Sequence, residues 1–320
     1  MNGILACPAC KAQSLSTSGD VVSCGSCGAT YPVKDGVIVF LRPDSAVLRD
    51  DADRAEFWNA GWQNRSAYML TLDRDGLLAE RRRCFEDLSA EGYPSVTGVS
   101  PATVGGKVFL NIGCGGGYEG LLFAGYGTRY IGIDVTYNAA RYTHEVVRKA
   151  GFDGVAYQAE AEALPLADDS IDFVYSSGVL HHTPDIEVTL REAHRVLKPG
   201  GTAMIGLYAT HSVMFLWYRL HAVLRGNWTA KSIDAWIHAN TEGAWSTAGR
   251  RNKWTATFSR AEMHDLLSGA GFADIVLEQS QVQLKVLPIL GRLTRFLPER
   301  IRGMRLGPWG GMLVATCTKR

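Results

Sequence analysis

The sequence predicts an α/β protein: a doubly wound, mostly parallel sheet with a small metal-stapled unit in front of it. Three observations carry this. Residues 107–120 read KVFLNIGCGGGYEG, an apolar run, a glycine turn and a helix start. Beyond them, short apolar runs alternate with helix-like segments as far as Ala209, the pattern of βαβ units. Ahead of them stand four cysteines in two close pairs.

Of the 320 residues, 46% are hydrophobic and 20% charged, which suits one large core plus a small unit. The net charge of +1 exerts no global pull toward nucleic acid or membrane. The start, MNGILACPAC, lacks the basic-then-apolar pattern of a secretory signal. The most apolar long stretch, Met204 to Leu224, is interrupted by His211, Arg219 and His221, which argues against a membrane span. The expected compartment is cytoplasmic. There, scattered cysteines such as Cys84 and Cys317 are expected as buried free thiols.

Residues 1–41 hold the cysteine pairs CPAC and CGSC, that is Cys7, Cys10, Cys24 and Cys27. Each C-x2-C knuckle presents two thiolates, and two knuckles complete a tetrahedral four-sulfur zinc site. Two disulfides are the competing reading, which the absence of a secretion signal disfavours. With every position filled by thiolate, the zinc is structural: it holds a segment too small to bury its own core. The following element, YPVKDGV at Tyr31–Val37, resembles the zinc ribbon found as an activator subunit of certain methyltransferases and fused to the front of others. That resemblance implies a structural or docking role.

Residues 42–106 read as a helical connector. Phe57, Trp58, Trp62, Tyr68 and Leu72 share part of a helical face, and Leu77 to Leu88 forms a second helix with Arg81–Arg83 on a solvated side. The aromatic helix either caps a ligand cleft or packs against the core. The Gly-, Pro-, Ser- and Thr-rich stretch before Lys107 is a loop.

At residue 107 the main domain begins. Val108, Phe109, Leu110 and Ile112 suit a strand buried on both faces. Gly113, Gly115, Gly116 and Gly117 let the backbone turn and let a ligand approach it closely. The helix opened by Tyr118 points free N–H groups at that ligand. An ordinary βα turn with spare glycines is the competing reading. Tyr130, Ile131 and Ile133 form a second strand with Asp134 at its carboxyl end, where an acid can accept ribose hydroxyl hydrogens. Strands follow near Val155–Gln158 and Ile171–Ser176. Thr183 and Pro184 are expected to cap the next helix, KPGG to end it, and TAMIGLYA to form a fifth strand.

The segments NIGCGGG, IGID, AEALPLADDSIDFV, SSGVLHH and REAHRVLKPGG, in this order over residues 108–206, resemble class I S-adenosylmethionine-dependent methyltransferases, especially the ubiquinone and menaquinone biosynthesis branch. The resemblance implies a seven-stranded, Rossmann-like sheet and S-adenosylmethionine as cofactor. It places Gly113, Gly115 and Gly117 against the methionine part and Asp134 on the ribose. Glu160 and Ala161 flank adenine, and Ser177 lies beside the cofactor at the end of the fourth strand. The family often has Asp where this chain has Glu160.

Methyl transfer from a sulfonium needs mainly positioning and desolvation. A general base is required only for an uncharged hydroxyl, amine or carbon acid. His181 and His182, just past the fourth strand, are the catalytic candidates; a loop histidine bonded to backbone is the alternative. Cys114 reads as a small filler in the glycine turn. The element after the fourth strand, SSGVLHH, lacks the Asn/Asp-Pro-Pro-aromatic motif of exocyclic-amino nucleic-acid methyltransferases and the Pro-Cys or Thr-Cys nucleophile of pyrimidine-carbon enzymes.

Residues 107–320 form the methyltransferase domain, with an insertion at about 211–255 holding Trp217, Trp228, Trp236, Trp245 and Trp254. These rings suit either a wall over an apolar acceptor or the core of a helical insertion. Ser259 and Glu262 form a capping box. DIVLEQSQV and GMLVATCTK are the last two strands, antiparallel at the sheet edge. Between them, residues 285–306 carry six basic residues and one acid among leucines and isoleucines, either a solvated face or a peripheral membrane contact. The acceptor expected is a small, partly apolar metabolite or lipid-like molecule, methylated on O, N or C. An RNA acceptor docked through the ribbon, and a non-catalytic cofactor-binding module, are the alternatives.

Overall fold

The computed structural model describes residues 3–42, 45, 52–90, 98–240, 255–280 and 309–320. Trp245, Trp254 and the basic segment 285–306 fall outside them.

The ribbon is an antiparallel sheet of β1 (Leu15–Ser18), β2 (Val21–Cys24), β3 (Thr30–Lys34) and β4 (Val37–Ile38), paired in that order. The chain then passes through α1 (Ala52–Ser66), a 3-10 turn (Ala67–Thr71), α2 (Arg74–Ala90) and the short α3 (Pro101–Val104). The main domain alternates β5 (Val108–Ile112), α4 (Tyr118–Ala124), β6 (Arg129–Asp134), α5 (Tyr137–Lys149), β7 (Gly154–Gln158), β8 (Ile171–Ser177), α6 (Ile186–Val196) and β9 (Leu197–Tyr208). Helices α7 (Val213–Leu224), α8 (Ala230–Asn240) and α9 (Arg260–Gly269) precede β10 (Ala273–Ser280) and β11 (Met312–Thr318).

Among the described residues the main sheet has seven strands in the order β10-β11-β9-β8-β5-β6-β7. β5 to β9 run parallel, and β11 lies antiparallel between β9 and β10. Every residue of β5 is buried, as a central parallel strand covered on both faces requires. Strand order reverses between β5 and β8, and such a switch point opens a crevice at the carboxyl ends of the strands.

Two local expectations are corrected. Helix α6 is capped by Asp185, whose carboxylate accepts the Val188 amide at 3.0 Å. Thr183 instead spends its hydroxyl on the Leu180 carbonyl at 2.6 Å. The helix ends at Val196, just ahead of KPGG as expected, but KPGG itself lies within β9, where the register to β8 shifts between Ile171 and Phe173. The Ser259–Glu262 capping box forms in both directions.

The ribbon shares one core with the sheet: Cys7, Tyr31 and Phe40 pack with Ile133, Tyr157 and Leu164. Its two ends are stitched on by backbone. The Ala6 amide donates to the Pro165 carbonyl at 3.1 Å, and the Phe40 amide to the Gln158 carbonyl at 2.7 Å. Arg81 is not on a solvated side. It donates to the Leu121 carbonyl at 3.1 Å and so caps the C-terminal end of α4, as basic side chains do at helix ends. Among the described residues, no helix is long and apolar enough to cross a membrane.

Candidate active site and metal centre

The two knuckles bring Cys7, Cys10, Cys24 and Cys27 together, with all four Sγ atoms within 4.8 Å of one another. Cys7 and Cys27 are 3.7 Å apart and Cys10 and Cys24 are 3.6 Å apart. A zinc ion with Zn–S bonds of about 2.3 Å at the centre of a sulfur tetrahedron demands edges of roughly 3.8 Å. The thiol set therefore fits a closed four-sulfur zinc site. The buried Tyr31 hydroxyl lies 3.0 Å from Cys7 Sγ, the kind of outer-shell contact that orients a metal ligand.

The glycine turn follows β5. Gly113, Gly115 and Gly117 have φ of 78°, 55° and 95°, values that side chains resist. Asp134, at the end of β6, is buried. One of its oxygens accepts the Gly115 amide at 3.0 Å, and the other accepts the Thr136 amide and hydroxyl, both at 2.9 Å. An ionised carboxylate only accepts hydrogen bonds, which is the chemistry that the hydroxyls of a ribose diol need. Glu160, past β7, is buried with Oε2 lacking a hydrogen bond, and the nearest cation is Arg42 of the ribbon tail at 3.9 Å. Ala161 opens a buried 3-10 turn, and Ser177 ends β8 half-buried. The sites named from sequence thus gather at one edge of the sheet, on either side of its switch point.

His181 and His182 lie in a 3-10 turn just past β8 and are both buried. Neither ring nitrogen of His181 has a hydrogen-bond partner. Its ring packs 3.9 Å from that of Tyr208 and 4.1 Å from that of His182. Burial, then the neighbouring His182, pushes its pKa well below the usual histidine range, so the ring is neutral at pH 7. His182 faces Trp58 with ring centroids 5.3 Å apart, and Thr255 Oγ1 lies 3.4 Å from its Nδ1. Cys114 is buried with its thiol pushed far up by that burial, which suits a filler and not a nucleophile.

Sequence reasoning left the role of α1 open and did not single out Tyr208. A Cβ built on Gly115 would meet the Trp62 ring at 2.6 Å, and one on Gly116 would meet Ser66 Oγ at 1.7 Å. Helix α1 therefore sits directly on the turn. The spacing of Trp58 and Trp62, one helical turn apart, was the available signal. Glu119 was also missed. It accepts from Tyr175 at 2.8 Å and Asn111 at 3.3 Å beneath the turn, and burial raises its pKa to about 7. A separate cavity of about 400 Å³, lined by Arg82, Phe85 and Pro101 among others, includes none of these residues.

Residues 110–205 match the family of methyltransferase domains. An uncharacterized methyltransferase of Mycobacterium ulcerans is 40% identical over 106 residues, which are 32% of this chain and 40% of that protein. A malonyl-[acyl-carrier protein] O-methyltransferase of Methylococcus capsulatus is 28% identical over 202 residues, 62% of this chain and 64% of its own length. Among solved structures, a Thermotoga maritima methyltransferase, described as a possible histamine N-methyltransferase, aligns with a TM-score of 0.48 at 21% identity, covering 82% of this chain and 100% of its own. The chain thus spans 40% and 64% of the two curated relatives.

Proposed function

We propose that this chain, whose residues 110–205 are a methyltransferase domain, transfers the methyl group of S-adenosylmethionine to a small, partly apolar acceptor. One observation carries the reading: the glycine turn, Asp134, Glu160 and His181, whose ring nitrogens lack hydrogen bonds, lie at or just past the carboxyl ends of the neighbouring parallel strands β5, β6, β7 and β8. The cofactor supplies a methyl group on a positively charged sulfur, with a good thioether leaving group.

The chain's own residues bind, orient and exclude water. Gly113, Gly115 and Gly117 offer bare backbone to the methionine part, Asp134 holds the ribose, and Glu160 with Ala161 flanks adenine. Ser177 closes the floor at the end of β8. Trp58, Tyr208 and the buried Phe215, whose ring lies 5.4 Å from that of Tyr208, form the apolar side on which the acceptor rests. His181, held neutral, is the group able to take a proton from the acceptor, and His182 orients it. Zinc on Cys7, Cys10, Cys24 and Cys27 is structural.

Incubation with methyl-labelled cofactor and separated host metabolites and RNA tests the reading. Label should enter the low-mass or lipid fraction. Label confined to RNA, or no heat on titration with S-adenosylhomocysteine, would overturn it.

A further inference from the structure

We infer that Ser66, the last residue of α1, binds the aminoacyl end of the cofactor. This rests on the reading of the site given above. Ser66 has no solvent exposure, and its hydroxyl has no hydrogen-bond partner. Burying a hydroxyl unpaired costs free energy that a neutral alanine would avoid. Its position is specific. The hydroxyl lies where the Cβ of any residue other than glycine at 116 would fall, 1.7 Å from Oγ, with the Trp62 ring at 2.8 Å. Gly116 does not have the positive φ of Gly113, Gly115 and Gly117. What requires glycine at 116 is therefore the approach of α1, which lies outside the matched residues 110–205.

The end of the ligand that Ser66 meets follows from strand order. β7, β6 and β5 are consecutive neighbours. Glu160 follows β7, Asp134 ends β6 and the glycine turn follows β5. Adenine, ribose and the aminoacyl chain fall on these in sequence, so a hydroxyl on Gly116 meets the charged amino-acid end. A serine hydroxyl donates to a carboxylate and accepts from an ammonium. Ser66 joins Glu160 Oε2 and the His181 nitrogens as buried polar atoms without hydrogen-bond partners along this edge. As α1 stands, Trp62 and Ser66 cover Gly115 and Gly116.

The test is calorimetric titration of wild type and Ser66→Ala with S-adenosylhomocysteine and with 5′-methylthioadenosine, which keeps the nucleoside and sulfur and lacks the amino-acid end. Ser66→Ala should bind S-adenosylhomocysteine about tenfold more weakly, the scale of a hydrogen bond to a charged group, and bind methylthioadenosine within about twofold of wild type. Its thermal midpoint without ligand should not fall, since the hydroxyl it removes is unpaired. Ser66→Gly removes the same hydroxyl and is measured alongside, so that a folding defect in one variant does not decide the result. Unchanged affinity for S-adenosylhomocysteine, or equal loss for both ligands, overturns the role of Ser66 while leaving the site reading intact. A wild type that binds neither ligand overturns both.

Discussion

The carboxylate of Asp134 accepts the Gly115 amide at 3.0 Å and so fastens the end of β6 to the turn after β5. In the proposed reading the same group also holds the ribose, so it would be a structural brace and a ligand contact at once. Asp134→Ala removes the bonds from the Gly115 amide and from the Thr136 amide and hydroxyl, and should lower stability by about 2–3 kcal/mol and cut S-adenosylhomocysteine affinity more than 100-fold. Asp134→Asn keeps one accepting oxygen and sets an NH2 donor where the other stood, so it should fall between. Denaturant unfolding and calorimetry on the two variants separate the brace from the contact.

Glu119 makes stability depend on pH in the direction opposite to most carboxylates. Its folded pKa is raised to about 7 from an ordinary 4.5 by burial, against the hydrogen bonds from Tyr175 and Asn111. The folded state therefore binds its proton more tightly. That contribution is complete below about pH 4.5 and is lost as pH rises through 7. At one pH unit per 1.36 kcal/mol the loss is at most on the order of 3 kcal/mol. Urea unfolding of wild type should show this decline between about pH 4.5 and 7, and Glu119→Gln should remove it.

The zinc ribbon is legible from its cysteines, but its attachment is not. No spacing rule announces that Phe40 would bond to Gln158 or Ala6 to Pro165, because pairing to a sheet edge uses main chain and leaves little mark on composition. The glycine turn, Asp134 and the strand alternation were readable because each needs a residue type: bare backbone, a short acid, an apolar run. Thr183 and Pro184 misled for the converse reason. They have the residue types of a helix start, yet the Thr183 hydroxyl closes the preceding turn and Asp185, one residue further on, does the capping. Trp62 was named on the aromatic helix whose role the sequence left open, whereas Ser66 was unreadable, since a serine at a helix end carries no signal until the helix is seen lying on Gly116.

Because the ribbon packs Tyr31 and Phe40 onto Tyr157 and Leu164, loosening it should unsettle the adjoining loop at Glu160. Elemental analysis should find one zinc per chain. Cys24→Ser, or a strong chelator, should release it and lower stability by several kcal/mol, as loss of structural zinc does. After chelation, a thiol reagent should react with Cys7 and Cys24, which are buried in the intact ribbon. Four reactive thiols before metal removal would contradict the closed site.

His181 offers the sharpest separation of stability from chemistry. Its folded pKa lies well below the ordinary 6.5 because the ring is buried beside His182. The unfolded chain binds the extra proton, so this stabilisation is present above about pH 6.5 and is lost as pH falls below it. His181→Phe keeps a ring against Tyr208 and cannot protonate. It should be more resistant to unfolding than wild type at pH 5.5 and similar at pH 8. If His181 takes the acceptor proton, the same variant should lose about 100-fold or more in kcat at every pH, the usual scale of general-base removal, while S-adenosylhomocysteine affinity stays within about twofold because His181 follows β8, across β5 from the strands that carry Asp134 and Glu160. A kcat equal to wild type on an acceptor that must lose a proton would leave His181 with a packing role alone.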